Sequence, residues 1–145
     1  MKARPKYNAR KMLLDGYSFD SKEEARYYEM LKAQKGQSLI YGFDVHPKFD
    51  LIPNFIYRGQ KRRGIGYEAD FSVVHLDGTV EVVDVKGMET QAGVLRRKLF
   101  EWKYPDVNLR WVSSSYKHGD KDGWIDYDEL KKIRREAKKQ KGVVK

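Results

Sequence analysis

Cysteine is absent from the sequence, and this absence excludes disulfide bonds, zinc sites with thiolate ligands and catalysis by a cysteine nucleophile. The three histidines, His46, His75 and His118, lie far apart without helical or zinc-finger spacing, which argues against a histidine-rich metal site. No apolar run of about 18 residues is present to span a bilayer, and the N-terminal MKARPKYNARK lacks the apolar stretch of a signal peptide. We therefore expect a cytoplasmic protein that does not enter a membrane.

Positive charge is in excess. Thirty Lys and Arg residues against 21 Asp and Glu residues give a formal net charge of +9, and the pI is near 9.6. Such a balance favours polyanionic partners, either nucleic acid or an acidic membrane surface. Because the sequence lacks apolar features suited to a membrane, nucleic acid is the favoured partner.

The length and composition fit one globular domain. A chain of 145 residues with 40% hydrophobic residues can bury one adequate core. We expect a single domain over 1–145, with a basic N-terminal arm at about 1–18 and a basic C-terminal helix and tail at about 126–145, because both ends are rich in Lys and Arg.

Hydrophobic periodicity and turn residues predict an α/β fold. Phe19-Asp20-Ser21 has the residues of a helix start, and the next stretch predicts a helix over about 21–35, before Gly36. Asp77-Gly78 lies between two β-rich segments and predicts a hairpin over 67–75 and 79–86. The other predicted elements are short or peripheral strands between 45 and 57, a flexible basic loop over 58–66, a helix over 90–104 with Leu95, Leu99 and Trp102 on one face, a strand over 108–113 and a helix over 126–140. We expect the helices to flank a small mixed sheet.

The hairpin contains acids at positions where a plain core would be apolar. Asp70 and Asp84 lie within apolar strands, where an unpaired carboxylate is costly to bury. A divalent cation would compensate them, since Mg²⁺ binds carboxylate oxygens and waters. Asp84 and Lys86 are two residues apart on one strand and therefore project from the same face. An ordinary edge-strand ion pair is the alternative interpretation of Asp84 and Lys86, and a turn or strand-start role is the alternative for Asp70.

The register of the hairpin decides whether Asp70 meets Asp84. A strict two-residue turn at Asp77-Gly78 would place Phe71 opposite Asp84. A three-residue loop or one β-bulge would place Asp70 there instead.

A third acid is expected from the first helix. A rotation of about 100° per residue puts Glu24 within the arc of Ala25, Tyr27, Tyr28 and Leu31, so that Glu24 faces the core, whereas Glu23 falls at the edge of that arc. The alternative is structural: with Ser21 as N-cap, Glu24 becomes the acidic residue of a capping box. If Asp20 is the N-cap, Glu23 takes that position instead.

At these residues the sequence resembles the PD-(D/E)XK nuclease superfamily, whose pattern is an acid on a helix, an Asp on one strand and (D/E)-x-K on the next. Asp84-Val85-Lys86 supplies the last element, although Ala69 stands where the superfamily name has Pro. The sequence is similar, over roughly 7–112, to small phage proteins with an FDSKEEA-like helix start, a YxADF segment and a strand ending in VKG. Those motifs occur here at 19–25, 67–71 and 85–87.

The resemblance implies a restriction-endonuclease-like core and a metal-dependent DNA endonuclease related to RecU-like Holliday-junction resolvases. The implied catalytic residues are Glu24, Asp70, Asp84 and Lys86. Glu24, Asp70, Asp84 and the Val85 carbonyl would hold Mg²⁺, or Mn²⁺ in its place. The implied substrate is four-way or other branched DNA, and because a junction is cut at two symmetric positions, a two-fold homodimer is expected.

Two basic segments are candidate DNA contacts. They are Arg58, Lys61, Arg62 and Arg63 in the glycine-rich loop, and Arg96, Arg97 and Lys98 in the helix after the site strand. Solvated surface is the alternative for both segments. The function likewise has alternatives: a non-catalytic DNA- or RNA-binding module, or a nuclease of the same fold that acts on flaps, nicks or linear duplex.

Overall fold

The computed structural model describes residues 11–143, which form three helices and eleven strands. In chain order these are β1 (Met12–Leu14), β2 (Tyr17–Phe19), α1 (Lys22–Gly36), β3 (Gly42–Val45), β4 (Lys48–Ile52), β5 (Phe55–Tyr57), β6 (Gln60–Arg62), β7 (Ile65–Glu68), β8 (Phe71–Val74), β9 (Val80–Val85), α2 (Gln91–Lys103), β10 (Asn108–Ser114), β11 (Trp124–Asp126) and α3 (Tyr127–Val143). No helix among the described residues has the length and apolar character needed to cross a bilayer.

A five-stranded mixed sheet forms the centre of the molecule. Its strand order is β11-β10-β9-β8-β3, with β9 and β10 parallel and the other neighbours antiparallel. Helix α1 packs its buried residues against one hydrophobic cluster of the sheet, and Phe100 of α2 belongs to a second cluster with Val82, Tyr67 and Leu51. The predicted α/β architecture, a small mixed sheet flanked by helices, is confirmed.

Helix α1 agrees closely with its prediction. Ser21 is the N-cap, and the helix runs from Lys22 to Gly36. The predicted inward-facing residues are all buried: Ala25, Tyr27, Tyr28 and Leu31.

The β8–β9 hairpin closes through a three-residue loop. Val74 is paired with Val80, and the N–H of His75 donates to the carbonyl of Thr79 at 2.9 Å, which leaves residues 76–78 as the loop. Gly78 has φ +88, a left-handed conformation that costs glycine little. The predicted hairpin is confirmed with the longer of the two turn lengths considered.

Residues 42–50 and 66–74 keep one antiparallel register from the five-stranded sheet into the two-stranded β4–β7 sheet. Val45 of β3 is paired with Phe71 of β8, and Lys48 of β4 is paired with Glu68 of β7. From the first pair to the second, each strand advances by three residues, so no residue is inserted and the register continues through the segment between the sheets. The N–H of His46 donates to the carbonyl of Asp70 at 2.9 Å within that segment.

The short strands predicted between 45 and 57 are confirmed by β4 and β5, whereas two segments predicted as irregular contain β-hairpins. The expected flexible loop over 58–66 contains β6, which forms the β5–β6 hairpin, in which Ile56 is paired with Lys61. Part of the expected N-terminal arm forms the β1–β2 hairpin around the predicted turn at Asp15-Gly16. The rest of that arm, residues 1–10, lies outside the described residues.

The inward face of helix α2 agrees only in part with the one predicted. Leu99 is partly buried and packs against the second cluster, as predicted, whereas Leu95 is exposed and Trp102 is 80% exposed. Phe100 is fully buried instead. The inward stripe also contains Gly93, Arg97 and Tyr104, which are each partly buried. Because a glycine and an arginine occupy this face, apolar periodicity alone could not predict it. The strand β11 before α3 was not predicted, and α3 begins one residue later than expected.

Candidate metal and catalytic site

Asp70 and Asp84 lie side by side in the sheet. Phe71 is paired with Val83, and the same antiparallel register places the preceding residue, Asp70, opposite Asp84. The N–H of Asp70 donates to Asp84 Oδ1 at 2.9 Å, and the N–H of Val85 donates to Asp70 Oδ2 at 2.8 Å. Each carboxylate is thus held by a backbone group of the neighbouring strand, in the register that the three-residue loop allows.

Glu24 comes to the same place from the start of α1. Its side chain is 9% exposed, whereas Glu23 is exposed, so the predicted orientation of the two glutamates is confirmed. Ser21 Oγ accepts the N–H of Glu24 at 3.1 Å, and Glu24 Oε2 accepts the N–H of Asp20 at 3.2 Å. Glu24 therefore also stabilises the helix start, although it accepts the N–H of Asp20 and not that of the N-cap Ser21, which the expected capping box would use. Since a carboxylate has about four acceptor sites, this bond leaves capacity for a cation.

Lys86 directly follows the middle strand of the sheet. Its Nζ is 3.9 Å from Asp84 Oδ2 and 4.8 Å from the centre of the Trp111 ring. Its N–H donates to the carbonyl of Val112 at 2.7 Å, and its carbonyl accepts Ser113 Oγ at 2.6 Å. Because β9 lies between β8 and β10, an edge-strand ion pair of Asp84 and Lys86 is excluded.

Two aromatic residues that the sequence did not assign to the site support Asp84. The hydroxyl of Tyr67 donates to Asp84 Oδ2, and Trp111 Nε1 donates to the Tyr67 hydroxyl oxygen at 2.9 Å. All three side chains are buried. Tyr67 and Trp111 are 44 residues apart, so only the strand pairing brings them together.

His46 was also missed. One ligand atom from each of Glu24, His46 and Asp70 lies within 4.8 Å of the other two. The register of 42–50 with 66–74 places His46 opposite Asp70, and its ring packs 5.7 Å from that of Phe19. In the sequence His46 precedes Pro47 without any metal-binding spacing, so its position follows only from the pairing of distant strands.

Burial controls the protonation of the acids. Desolvation raises the pKa of Glu24 to about 7. It also raises the pKa of Asp70, and the nearby charges of Asp84 and Glu24 raise it further. The pKa of Asp84 is raised by desolvation too, although Lys86 and the Tyr67 hydroxyl favour its ionised form. Three carboxylates that resist ionisation together are chemically suited to a divalent cation, which would favour their charged forms.

Two clefts open beside Lys86. The first has a volume of about 410 Å³, and its lining includes Glu24, Val85, Lys86 and Arg134. The second has a volume of about 390 Å³, and its lining includes Asp84, Lys86, Thr90 and Arg96. Val85, the predicted source of a carbonyl ligand, therefore borders the same cleft as Glu24.

Most of the predicted DNA contacts are exposed, but one of them is held in an ion pair within the protein. Arg58, Lys61, Arg62 and Arg63 are exposed on or next to the β5–β6 hairpin, and Arg96 and Lys98 are exposed on α2. Arg97 differs, because its Nη1 and Nη2 bind the two carboxylate oxygens of Asp128 at 3.0 and 2.5 Å, and its guanidinium lies 4.4 Å from the Trp111 ring centre. This ion pair joins α2 to α3, so the expectation of Arg97 as an open surface contact is corrected.

Comparison with known proteins gives a family but no named relative. No curated protein and no solved structure matches the chain. The family described as "Protein of unknown function (DUF1064)" matches residues 4–120, which include Glu24, His46, Asp70, Asp84 and Lys86. Because this match spans most of the sequence, the chain belongs to the DUF1064 family.

Proposed function

We propose that this chain is a metal-dependent endonuclease that hydrolyses DNA phosphodiester bonds, with four-way or other branched DNA as its substrate. The observation that carries the proposal is the pair of carboxylates of Asp70, which is partly buried, and Asp84, which is buried; they lie opposite each other in the sheet, and Lys86 is 3.9 Å from Asp84. Burying two like charges together is unfavourable unless a bound cation compensates them. Such an arrangement is typical of a functional site rather than of a core.

The donor set fits Mg²⁺, with Mn²⁺ as a substitute. Glu24, Asp70 and Asp84 offer carboxylate oxygens, and Val85 offers a backbone carbonyl, which are ligands that Mg²⁺ prefers. When bound, the ion would supply Lewis-acid stabilisation of a phosphate oxygen and lower the pKa of a water.

The chain's own residues would position the reacting groups. Lys86 would offset the negative charge that develops on the phosphate, because its ammonium lies at the cleft beside Asp84. Tyr67 would keep Asp84 in one orientation through its hydroxyl. Arg96 would bind a neighbouring phosphate, since it lines the same cleft as Asp84.

Branched DNA is the proposed substrate for two reasons. The net charge of +9 suits a polyanion, and the exposed β5–β6 hairpin presents Lys61 and Arg62 beside exposed apolar residues that could contact unstacked bases. Cutting a junction at symmetric positions also leads us to propose a two-fold homodimer.

A cleavage assay tests this proposal. The full chain is incubated with a four-way junction, a flap and a linear duplex, in Mg²⁺, Mn²⁺ or EDTA. We expect cation-dependent cleavage with preference for the junction. Asp70→Asn should reduce it more than about a hundredfold, since even residues behind metal ligands often contribute 10–100-fold. Asp44→Asn, which changes an exposed acid on β3, is the matched control.

Asp70→Asn is a cleaner test than Asp84→Asn. The amide oxygen of Asn can still accept the Val85 N–H, whereas Asp84 accepts from both Tyr67 and the Asp70 backbone. DNA binding without cleavage in any cation would favour the non-catalytic binding module. Equal cleavage of flaps or linear duplex would favour a nuclease with another substrate.

A further inference from the structure

His46 has the position of a metal ligand. Its ligand nitrogen and one oxygen from each of Glu24 and Asp70 all lie within 4.8 Å of one another. With bonds of about 2.1–2.5 Å, adjacent ligands of an octahedral ion lie about 3–3.5 Å apart and opposite ligands about 4–5 Å apart, so three atoms this close together can converge on one ion. The three residues come from helix α1, from the link between β3 and β4 and from the link between β7 and β8.

The backbone holds His46 at this position. Its N–H donates to the carbonyl of Asp70 at 2.9 Å. In the next residue pair, the N–H of Ala69 donates to the carbonyl of Pro47 at 3.0 Å. Among the described residues, no side chain or backbone group forms a hydrogen bond with the His46 ring. The ring therefore has a nitrogen lone pair to offer, and it packs against Phe19, which limits its rotation.

We propose that His46, together with Glu24 and Asp70, is a ligand of a divalent cation, and that this nitrogen ligand gives the site a preference for first-row transition ions over Mg²⁺. The inference rests on the metal-dependent site proposed above and specifies which ion that site selects. Imidazole binds transition ions well, whereas Mg²⁺ prefers oxygen ligands. Asp70 would lie between this site and Asp84, since it is next to both His46 and Asp84 in the sheet register.

The backbone conformation of His46 determines which substitutions are informative. Its φ is +56, in the left-handed region that glycine and asparagine tolerate best. His46→Gly removes the imidazole without straining the backbone, and His46→Asn replaces the nitrogen ligand with an amide oxygen. His118, which is exposed on the loop after β10, supplies the matched control His118→Gln.

The experiment measures binding of Co²⁺ and of Mg²⁺ separately to the full chain by calorimetry, without a histidine tag. We expect wild type to bind Co²⁺ more tightly than Mg²⁺. His46→Gly should weaken Co²⁺ binding by about tenfold or more and Mg²⁺ binding by less. His46→Asn should lower the ratio of Co²⁺ affinity to Mg²⁺ affinity. His118→Gln should leave both affinities unchanged, and circular dichroism checks that each variant is folded.

Nuclear magnetic resonance gives a second readout that does not depend on cleavage. The chain has three histidines, so its imidazole spectrum is simple. Substoichiometric Co²⁺ should shift or broaden the signals of His46 and leave those of His118 in place. Unchanged Co²⁺ affinity in folded His46→Gly would overturn the role of His46. If Asp70→Asn still abolished cation binding and cleavage in that case, the proposed nuclease site would stand, whereas absence of any cation binding in wild type would overturn both proposals.

Discussion

At the scale of single residues, Glu24 makes a contact at the helix start and also lies in the proposed metal site, although these two roles were considered as alternatives. Its Oε2 accepts the N–H of Asp20 at the start of α1, and its carboxylate also lies in the cluster with His46 and Asp70. A buried acid that only stabilised a helix start would not need a histidine and a second acid within 4.8 Å of its carboxylate. The neighbouring Glu23 is exposed and provides an internal comparison.

Glu24→Gln should therefore separate charge from helix capping. Glutamine keeps an oxygen that can accept the Asp20 N–H but has no charge for a cation. We expect cleavage to fall at least about tenfold, with a change of less than about 1 kcal/mol in the free energy of unfolding measured in urea. Glu23→Gln should leave both nearly unchanged. Loss of stability alone would make Glu24 a capping residue only, and a larger effect of Glu23→Gln on cleavage would reverse the assignment.

The sequence predicts those site residues that a local pattern identifies. Glu24 follows from helical periodicity, and Asp84 and Lys86 follow from alternation along one strand. Tyr67, Trp111 and His46 could not be assigned in this way, because each reaches the site through pairing between distant strands. The same limit applied to Arg97, whose partner Asp128 is 31 residues away on another helix.

At the scale of elements, the β5–β6 hairpin has a turn whose residues do not match the usual sequence pattern. Its two-residue loop is Arg58-Gly59, and both residues have positive φ, at 50 and +77. Turns of this kind usually carry Asn-Gly or Asp-Gly, so an arginine at the first position removed the usual signal. Strands of three or four residues also give too short a pattern to recognise, which explains why β11 and most of β3 were not predicted.

The hairpin presents cations and apolar side chains to solvent together. Phe55, Ile56 and Tyr57 are all exposed, and Lys61 and Arg62 lie on the paired strand. Exposed apolar side chains next to cations suit a partner with bases and phosphates. The β4–β7 ribbon connects this hairpin to the segment that contains Asp70.

Neutralising Lys61, Arg62 and Arg63 to Gln should weaken DNA binding without affecting cation affinity. Each lost phosphate contact should reduce the slope of log affinity against log salt by roughly 0.9 on duplex DNA. Binding is measured by fluorescence anisotropy at several salt concentrations. The matched control changes Lys138, Lys139 and Lys141 of α3 to Gln, which removes the same charge elsewhere.

The comparison between substrates then locates the hairpin on the DNA. A larger loss on a four-way junction than on linear duplex would indicate that the hairpin enters the junction opening. Equal losses on both would indicate simple phosphate contacts. An unchanged slope on both substrates would leave the hairpin cations as solvated surface.

At the scale of the whole molecule, the carboxylate cluster links stability to pH. The unfolded chain ionises Glu24 near its ordinary pKa of 4.5, whereas the folded chain holds this proton up to about pH 7. Asp70 and Asp84 are shifted in the same direction. The unfolded state therefore loses protons first as pH rises, so Glu24 should lower the stability of the metal-free protein progressively from about pH 4.5 to 7. Asp70 and Asp84 should act in the same direction, beginning near their ordinary pKa of 3.8.

Asp70→Asn should accordingly stabilise the metal-free protein at pH 8. Removing one of the mutually repelling charges is worth about 1 kcal/mol or more, which corresponds to about 2–4 °C in Tm for a chain of this size. Melting curves in EDTA at pH 5 and pH 8 measure it, with Asp44→Asn as control. Mg²⁺ or Co²⁺ should raise the wild-type Tm at pH 8 much more than that of Asp70→Asn. A lower Tm for Asp70→Asn at pH 8 would instead indicate a structural role for Asp70.

Trp111 gives the molecule an optical reporter of its own site. The indole is 3% exposed and is flanked by the ammonium of Lys86 and the guanidinium of Arg97 at 4.8 and 4.4 Å. It is also linked through the Tyr67 hydroxyl to the carboxylate of Asp84. Indole emission responds to the local electric field, so a change of charge beside Asp84 should alter the emission wavelength and intensity of Trp111. Occupation of the cleft should therefore change the intrinsic fluorescence of the unlabelled protein, with Trp111 as the responding residue among the three tryptophans.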